Sequence, residues 1–403
     1  MNGKAAANVS IRHIEFLDYV RGIAILGVFF FHGLQDAFHF SSLPWGGWQR
    51  LYSVPKTFFL VLPASFGWAG VSIFFVVSGF CIHLSFCQQG RDWRSFFIRR
   101  FFRIYPPYLL ALILYAVLFA TTNLNVAIGL FPGSVGWREF LTHLFLVHNF
   151  DPQSYWTINP AFWSIAVEIQ LYLLYPVLLL MVGKFGWRGT MVVVAVCELF
   201  IDGVNGVSNG VMGAQELFGI QPPNFFSEMA SLNHWFAISP LGYWFSWSIG
   251  AWIANALLEK QTLPLAKSSL RLWTILILLC YFVRPLNPFS FVLFALLTGT
   301  AISRVISGDF PKIKIPKFCL NGLRQTGLWS YSMYLLHQPL LAIGLFDLTV
   351  FFPNSDNYPL LRFLSSVVFL VAIAGLSRFW FQFFELPSIA LGKRLCANIR
   401  KSL

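Results

Sequence analysis

Charged side chains are scarce in this chain of 403 residues: Asp, Glu, Lys and Arg together make up 11% of it. Soluble domains carry about a quarter, so a water-exposed globule is excluded. No cleavable leader is expected either. MNGKAAANVSIRHIE has no apolar core, and the apolar stretch after it contains Asp18 and Arg21, so the first helix is expected to be retained. The six cysteines form no CxxC pair and no Cys/His cluster at zinc spacing, so no metal is expected. None falls in an expected outward loop, and no disulfide is expected. There is no internal repeat. What abounds is apolar: 57% hydrophobic, 18% aromatic, mean hydropathy +0.66. That composition predicts an all-α, polytopic transmembrane helix bundle.

A span needs about 20 apolar residues. About ten segments qualify or come close: 14–34, 58–87, 104–122, 161–182, 190–203, 240–257, 271–285, 289–306, 327–347 and 361–384. The fifth is thin. Segment 139–150 is too short to cross and reads as re-entrant or interfacial. The whole chain reads as one membrane domain, residues 1–403 with a core of about 14–387.

The net charge of +12 suggests nucleic acid at first sight, but the basic residues are spread among short loops. With both termini cytoplasmic, most of the 28 Lys and Arg fall on one side, among them Arg91, Arg94, Arg99, Arg100, Arg103, Arg304, Lys312, Lys314 and Lys317. The outer stretches 35–57, 123–160, 204–239 and 348–360 hold only Arg50, Lys56 and Arg138. This is the positive-inside bias of a membrane protein. Lipid, not nucleic acid, is the expected partner.

Arg21 and His32 stand eleven residues apart in LDYVRGIAILGVFFFHG. A helix brings them to within about 20° of one another, about 16 Å apart along the axis. Ionisable groups at membrane depth usually face the bundle interior and mark a functional path. Glu168 is expected at the level of His32, either as a carboxylate that makes the imidazole a better base or as a polar pin between helices. Asp18, one turn before Arg21, either orients that guanidinium or leaves it ready for an anion. Arg100 and Arg103, beside Arg99 in the inner loop RRFFRIYPPY, suit phosphate, while headgroup contact and topology are the simpler explanation of the cluster by itself. Pro106 and Pro107 are expected to fix the entry of the next span. Ser78 and Gly79 allow close helix approach; without a GxSxG elbow, nothing marks Ser78 as activated. His337 lies near mid-depth of its span and reads as structural or catalytic.

Together these blocks resemble the acyltransferase-3 family of polytopic membrane acyltransferases. LDYVRGIAILGVFFFHG is similar to its opening LDGLRG…H pattern and keeps the Arg-to-His spacing. FFVVSGFCI, RRFFRIYPPY, NPAFWSIAVEIQLYLLYP (with Trp163, Ser164, Glu168, Tyr172 and Pro176), WSYSMYLLHQPL and WFQFFELP resemble its later blocks, in order. Tyr19 stands where the family often has Gly, and no hydrolase-like C-terminal domain of the kind two-domain members carry is expected.

The resemblance implies an O-acyltransferase that moves an acyl group, acetyl by default, from cytoplasmic acyl-CoA to a hydroxyl of a surface or exported carbohydrate. It implies a home in the bacterial cytoplasmic (inner) membrane. On that reading Arg99, Arg100 and Arg103 dock coenzyme A, with Ser78 on the same donor side. His32 deprotonates the acceptor, Glu168 orients or charge-balances His32, and Arg21 steers the donor or stabilises the oxyanion. Asp18, Trp163, Tyr172 and His337 support substrate or structure. A transporter of a lipid-linked sugar or acyl group is the alternative; it predicts inverted repeats and paired broken helices, which the sequence lacks.

Overall fold

The computed structural model describes residues 11–38, 56–219, 238–310, 316–346 and 358–402, apart from 123 and 132, with isolated positions between 220 and 237. Among them every regular element is helical. The chain runs through α1 (Ile11–Phe38), α2 (Gly70–Gln88), α3 (Trp93–Thr122) and the short α4 (Trp137–Leu144). It continues through α5 (Trp163–Phe218), α6 (Trp244–Leu258), α7 (Leu270–Phe282) and α8 (Phe289–Ser307). The last four helices are α9 (Lys317–Leu328), α10 (Ser330–Phe346), α11 (Tyr358–Trp380) and α12 (Leu386–Ser402). Among the described residues, six stretches are long and apolar enough to cross a membrane: 15–38, 62–88, 93–122, 160–213, 289–307 and 358–399. Their outer faces are greasy, with Leu180 and Val371 more than 70% exposed. Apolar surface of that extent needs lipid, not water. This is a multi-pass membrane protein.

Several expected boundaries move. RRFFRIYPPY is not a loop: it belongs to α3, which starts at Trp93 and carries Pro106 and Pro107 in its interior. Proline has no N–H to give to the carbonyl four residues back. The carbonyl that Pro106 leaves free is that of Phe102, and Ser388 Oγ of α12 donates to it. A neighbouring helix thus repairs the break, as membrane helices require. The thin segment 190–203 is also longer than expected. Gly186 (φ 67°, ψ 172°) breaks α5 into two helices, and the second, which holds this segment, goes on to Phe218. The outer stretches 35–57, 204–239 and 348–360 lie partly outside the described residues, as do Arg50, Lys312 and Lys314.

α2 and α6 approach each other closely. A Cβ at Gly250 would lie 1.8 Å from the Val76 carbonyl oxygen, and one at Gly79 would lie 2.0 Å from that of Trp247. Lipid is as apolar as leucine, so helices in it associate by close packing and buried hydrogen bonds. Both appear here. Tyr331 of α10 donates to the Ile104 carbonyl at 2.8 Å, and Asn159, ahead of α5, donates to that of Leu335 at 2.9 Å. These contacts hold α2, α3, α5 and α10 around a shared polar interior.

Candidate active site

One face of α2 organises that interior. Ser78, Cys81 and Ser85 recur at intervals of three and four residues, so they form a single stripe. Each reaches a different helix. Ser78 Oγ donates to Glu168 Oε1 of α5 at 2.8 Å. Arg21 Nη2 of α1 donates to Cys81 Sγ at 3.1 Å, and Arg100 Nη2 of α3 donates to Ser85 Oγ at 3.0 Å. The stripe therefore ties a carboxylate and two guanidinium groups to one wall.

A cavity of about 120 Å³ opens against this wall. Arg21, Ser78, Cys81, Arg100, Arg103 and Glu168 line it, with Tyr172 and Tyr334. Glu168 is doubly restrained, because Tyr172, one turn along α5, also donates to its Oε1. Trp247 Nε1 of α6 donates to Ser78 Oγ at 3.3 Å, so the α2–α6 approach positions the serine directly. Arg21 Nη1 pairs with Asp18 Oδ1 at 3.1 Å, one turn away on α1. Arg103 Nη1 pairs at 3.1 Å with Glu385, a buried carboxylate that also accepts from Ser332 at 2.6 Å. Glu385 sits in a π-helical turn, Phe381–Glu385, between α11 and α12. Such turns re-aim a side chain at functional sites.

The expected partnership of Glu168 with His32 is replaced by two separate arrangements. Glu168 belongs to the basic cavity through Ser78 and Tyr172. The ring beside His32 is that of His337, with centroids 5.1 Å apart. Gln35 Oε1 lies 3.0 Å from His32 Nδ1; accepting the proton there leaves the lone pair on Nε2. His337 Nδ1 donates to the Tyr334 carbonyl at 2.9 Å, and the Tyr334 ring lies 5.4 Å from that of His337. Tyr334 also lines the cavity, and Ser164 Oγ donates to its hydroxyl at 2.7 Å. A chain of contacts, Tyr334–His337–His32, thus leads from the basic cavity to the imidazole of α1.

Arg100 and Arg103 share a helical face and both reach the cavity, whereas Arg99 is not among its lining residues. Trp163 stacks near Tyr243, ring centroids 5.5 Å apart, and supports the start of α5. The sequence reading missed Cys81, Tyr334 and Glu385. The signal for the first two was the helical interval: Cys81 follows Ser78 by three residues, and Tyr334 precedes His337 by three.

A family model described as an acyltransferase domain matches residues 14–379, most of the chain. The chain belongs to this acyltransferase family. Among relatives, it is 25% identical to the peptidoglycan O-acetyltransferase OatA of Listeria monocytogenes, over 95% of this chain and 57% of that protein. It is also 25% identical to YrhL of Bacillus subtilis, named as a candidate peptidoglycan O-acetyltransferase, over 83% of this chain and 49% of that one. The acyltransferase MdmB of Streptomyces mycarofaciens is 30% identical over 30% of this chain and 31% of its own. The chain thus spans about half, or less, of the length of the curated relatives it matches. No solved structure matches it.

Proposed function

We propose that this acyltransferase is a membrane O-acetyltransferase that takes an acetyl group from cytoplasmic acyl-CoA and places it on a hydroxyl of a surface or exported carbohydrate. One observation carries the reading. Three guanidinium groups, those of Arg21, Arg100 and Arg103, share a single cavity with a carboxylate, and a chain of side-chain contacts runs from it to His32. A phosphorylated donor needs several cations at one end. An attacking hydroxyl needs a base at the other.

On this reading Arg100 and Arg103 hold the phosphates of coenzyme A, and Arg21 steers the donor's arm along the cavity towards His32. His32 Nε2 takes the acceptor's hydroxyl proton as that oxygen attacks the thioester carbonyl. The C–S bond breaks, and coenzyme A leaves as the thiol. Gln35 and His337, rather than Glu168, orient the base. Glu168 holds Ser78 and balances the guanidinium charge of the cavity.

The topology proposed with it has about ten spans, both termini in the cytoplasm and the arginines of α3 at the inner face, in a bacterial cytoplasmic membrane. Glycan is the acceptor class that two relatives' names support, peptidoglycan included. The test is to incubate the purified protein with acetyl-labelled acetyl-CoA and glycan fragments. Label on a sugar hydroxyl that depends on His32 is the expected result; intact transfer in His32→Ala overturns the assignment of the base.

A further inference from the structure

The cavity beside α2 is cationic at one end only. On α2 its lining runs from Val71 to Ile82, about 16 Å along a helix axis. Contacts with α2 fix the order of the other walls. Arg21 of α1 reaches Cys81 and Arg100 of α3 reaches Ser85, both beyond Ser78 towards the C-terminal end of α2. Glu168 stands at Ser78 itself. In the opposite direction the ring of Tyr334 meets that of Phe74, centroids 6.1 Å apart. Ser164, one turn before Glu168, donates to Tyr334 at 2.7 Å and belongs to the same level. The arginines therefore gather at one end, and Val71, Phe74, Phe75, Ile165 and Tyr334 form the other.

The two ends differ in access. At the cationic end the side chains of Arg103 and Arg21 are 37% and 25% exposed. At the apolar end Val71, Phe75, Ile165 and Tyr334 are all buried. Phe75 is backed by the rings of Tyr243 and Phe291, with centroids 5.3 and 6.1 Å away. Protein rather than lipid stands behind these walls. A long hydrocarbon chain entering here meets packed side chains instead of the bilayer.

We propose that this closed apolar end is the acyl pocket and that it restricts the donor to short-chain acyl thioesters, with Val71 and Phe74 setting the limit. The inference rests on the transferase reading above and names the donor class for it. A thioester whose phosphates sit among the arginines points its acyl group away from them, along α2. The surroundings there are apolar and suit a methyl group. Each further methylene must push into a close-packed interior, which is unfavourable. Val71 is the lining residue of α2 farthest from the arginines, and Phe74 meets Tyr334 across the pocket. Tyr334 in turn lies beside His337, which lies beside His32. The acyl group is thus brought to the end of the cavity that adjoins the base.

The test is competition binding, which needs no acceptor. The full chain in detergent is loaded with labelled coenzyme A, and acetyl-CoA, butyryl-CoA and octanoyl-CoA are used to displace it. The wild type is expected to bind acetyl-CoA about tenfold or more tightly than octanoyl-CoA, the usual effect of overfilling a packed site. Val71→Ala and Phe74→Ala lengthen the pocket. Both are expected to raise affinity for butyryl-CoA relative to acetyl-CoA by about tenfold, the effect of burying two methylene groups. Coenzyme A itself has no acyl group, so its own affinity should match the wild type and report an intact fold. Val71→Ala removes only two methyl groups and decides the matter if Phe74→Ala does not fold. Octanoyl-CoA bound as tightly as acetyl-CoA by the wild type, or a butyryl-to-acetyl ratio unchanged in Val71→Ala, overturns the acyl pocket and leaves the transferase reading standing. Failure of the wild type to bind labelled coenzyme A overturns the donor reading and the pocket together.

Discussion

The imidazoles of His32 and His337 lie against each other, ring centroids 5.1 Å apart and planes tilted by 45°, joining α1 to α10. His337 is wholly buried and anchored through Nδ1 on the Tyr334 carbonyl, so its ring cannot turn freely. It packs against His32 as a fixed wall.

His32→Ala is therefore expected to lower kcat by about 10² to 10⁴, the usual contribution of a positioned base. His337→Gln is expected to act through His32: kcat falls and its pH profile moves, while KM for acetyl-CoA holds. Steady-state kinetics from pH 6 to 9 separate the two. A loss of acetyl-CoA affinity in His337→Gln would show a structural role instead.

Arg100 and Arg99 are neighbours in sequence with different outlooks. Arg100 lines the basic cavity and Arg99 does not. A hydrogen bond to a charged group contributes about 1.5–3 kcal/mol, so Arg100→Ala is expected to raise KM for acetyl-CoA by roughly ten- to a hundredfold. Arg99→Ala is expected to change it by less than threefold. Equal effects in the two variants would mean that the whole cluster answers to the membrane rather than to the donor.

Gly250 has no room for a methyl group, because the Val76 carbonyl oxygen would lie 1.8 Å from it. Gly250→Ala must push α6 off α2, and overpacking of this kind costs about 1–3 kcal/mol. Trp247 and Ser78 then part, so activity should fall with stability. A thermal scan in detergent alongside the transfer assay tests this, and a variant of wild-type stability would refute the packing argument.

The segment after α3 carries a pH dependence. His143 and His148 are fully buried and stacked with ring centroids 3.8 Å apart. Burial pushes His143 down to about 4, and His148 well below the ordinary histidine range. The folded segment thus binds fewer protons than the unfolded one below about pH 6.5, the ordinary histidine value. Its stability is complete above that pH and falls as the pH drops towards 4. Asp151 works at lower pH: burial raises its carboxyl, but hydrogen bonds from Ser154 and Arg138 outweigh it and hold it below the ordinary value. Its contribution is complete above about pH 3.9, so it does not change between pH 7.5 and 5. Hydrogen exchange of residues 137–157, corrected for intrinsic rate, should quicken from pH 7.5 to 5.0. No change would sink the argument.

Much of the site was legible because helices repeat. The eleven-residue interval from Arg21 to His32, and the three-residue steps from Asp18 to Arg21 and from Arg100 to Arg103, place each pair on one face. Asp18 and Arg21 do pair, and Arg100 and Arg103 do face one cavity. The start of α3 was misread because Pro106 and Pro107 look like a boundary. The Ser388 hydroxyl, 286 residues away from Phe102, makes Pro106 tolerable inside a helix.

The sequence by itself determined that this chain lives in lipid as a bundle of helices and that the few charged groups within its spans must face inward, because composition and periodicity are local properties. Which groups meet was decided by tertiary structure. Glu168 turned out to answer Ser78 and Tyr172, and His32 to answer His337 and Gln35. Periodicity gives the direction in which a side chain leaves its own helix, but not the rotation and depth of the helix across from it. Those follow from contacts such as Gly79 against Trp247, which exist only once the bundle has closed.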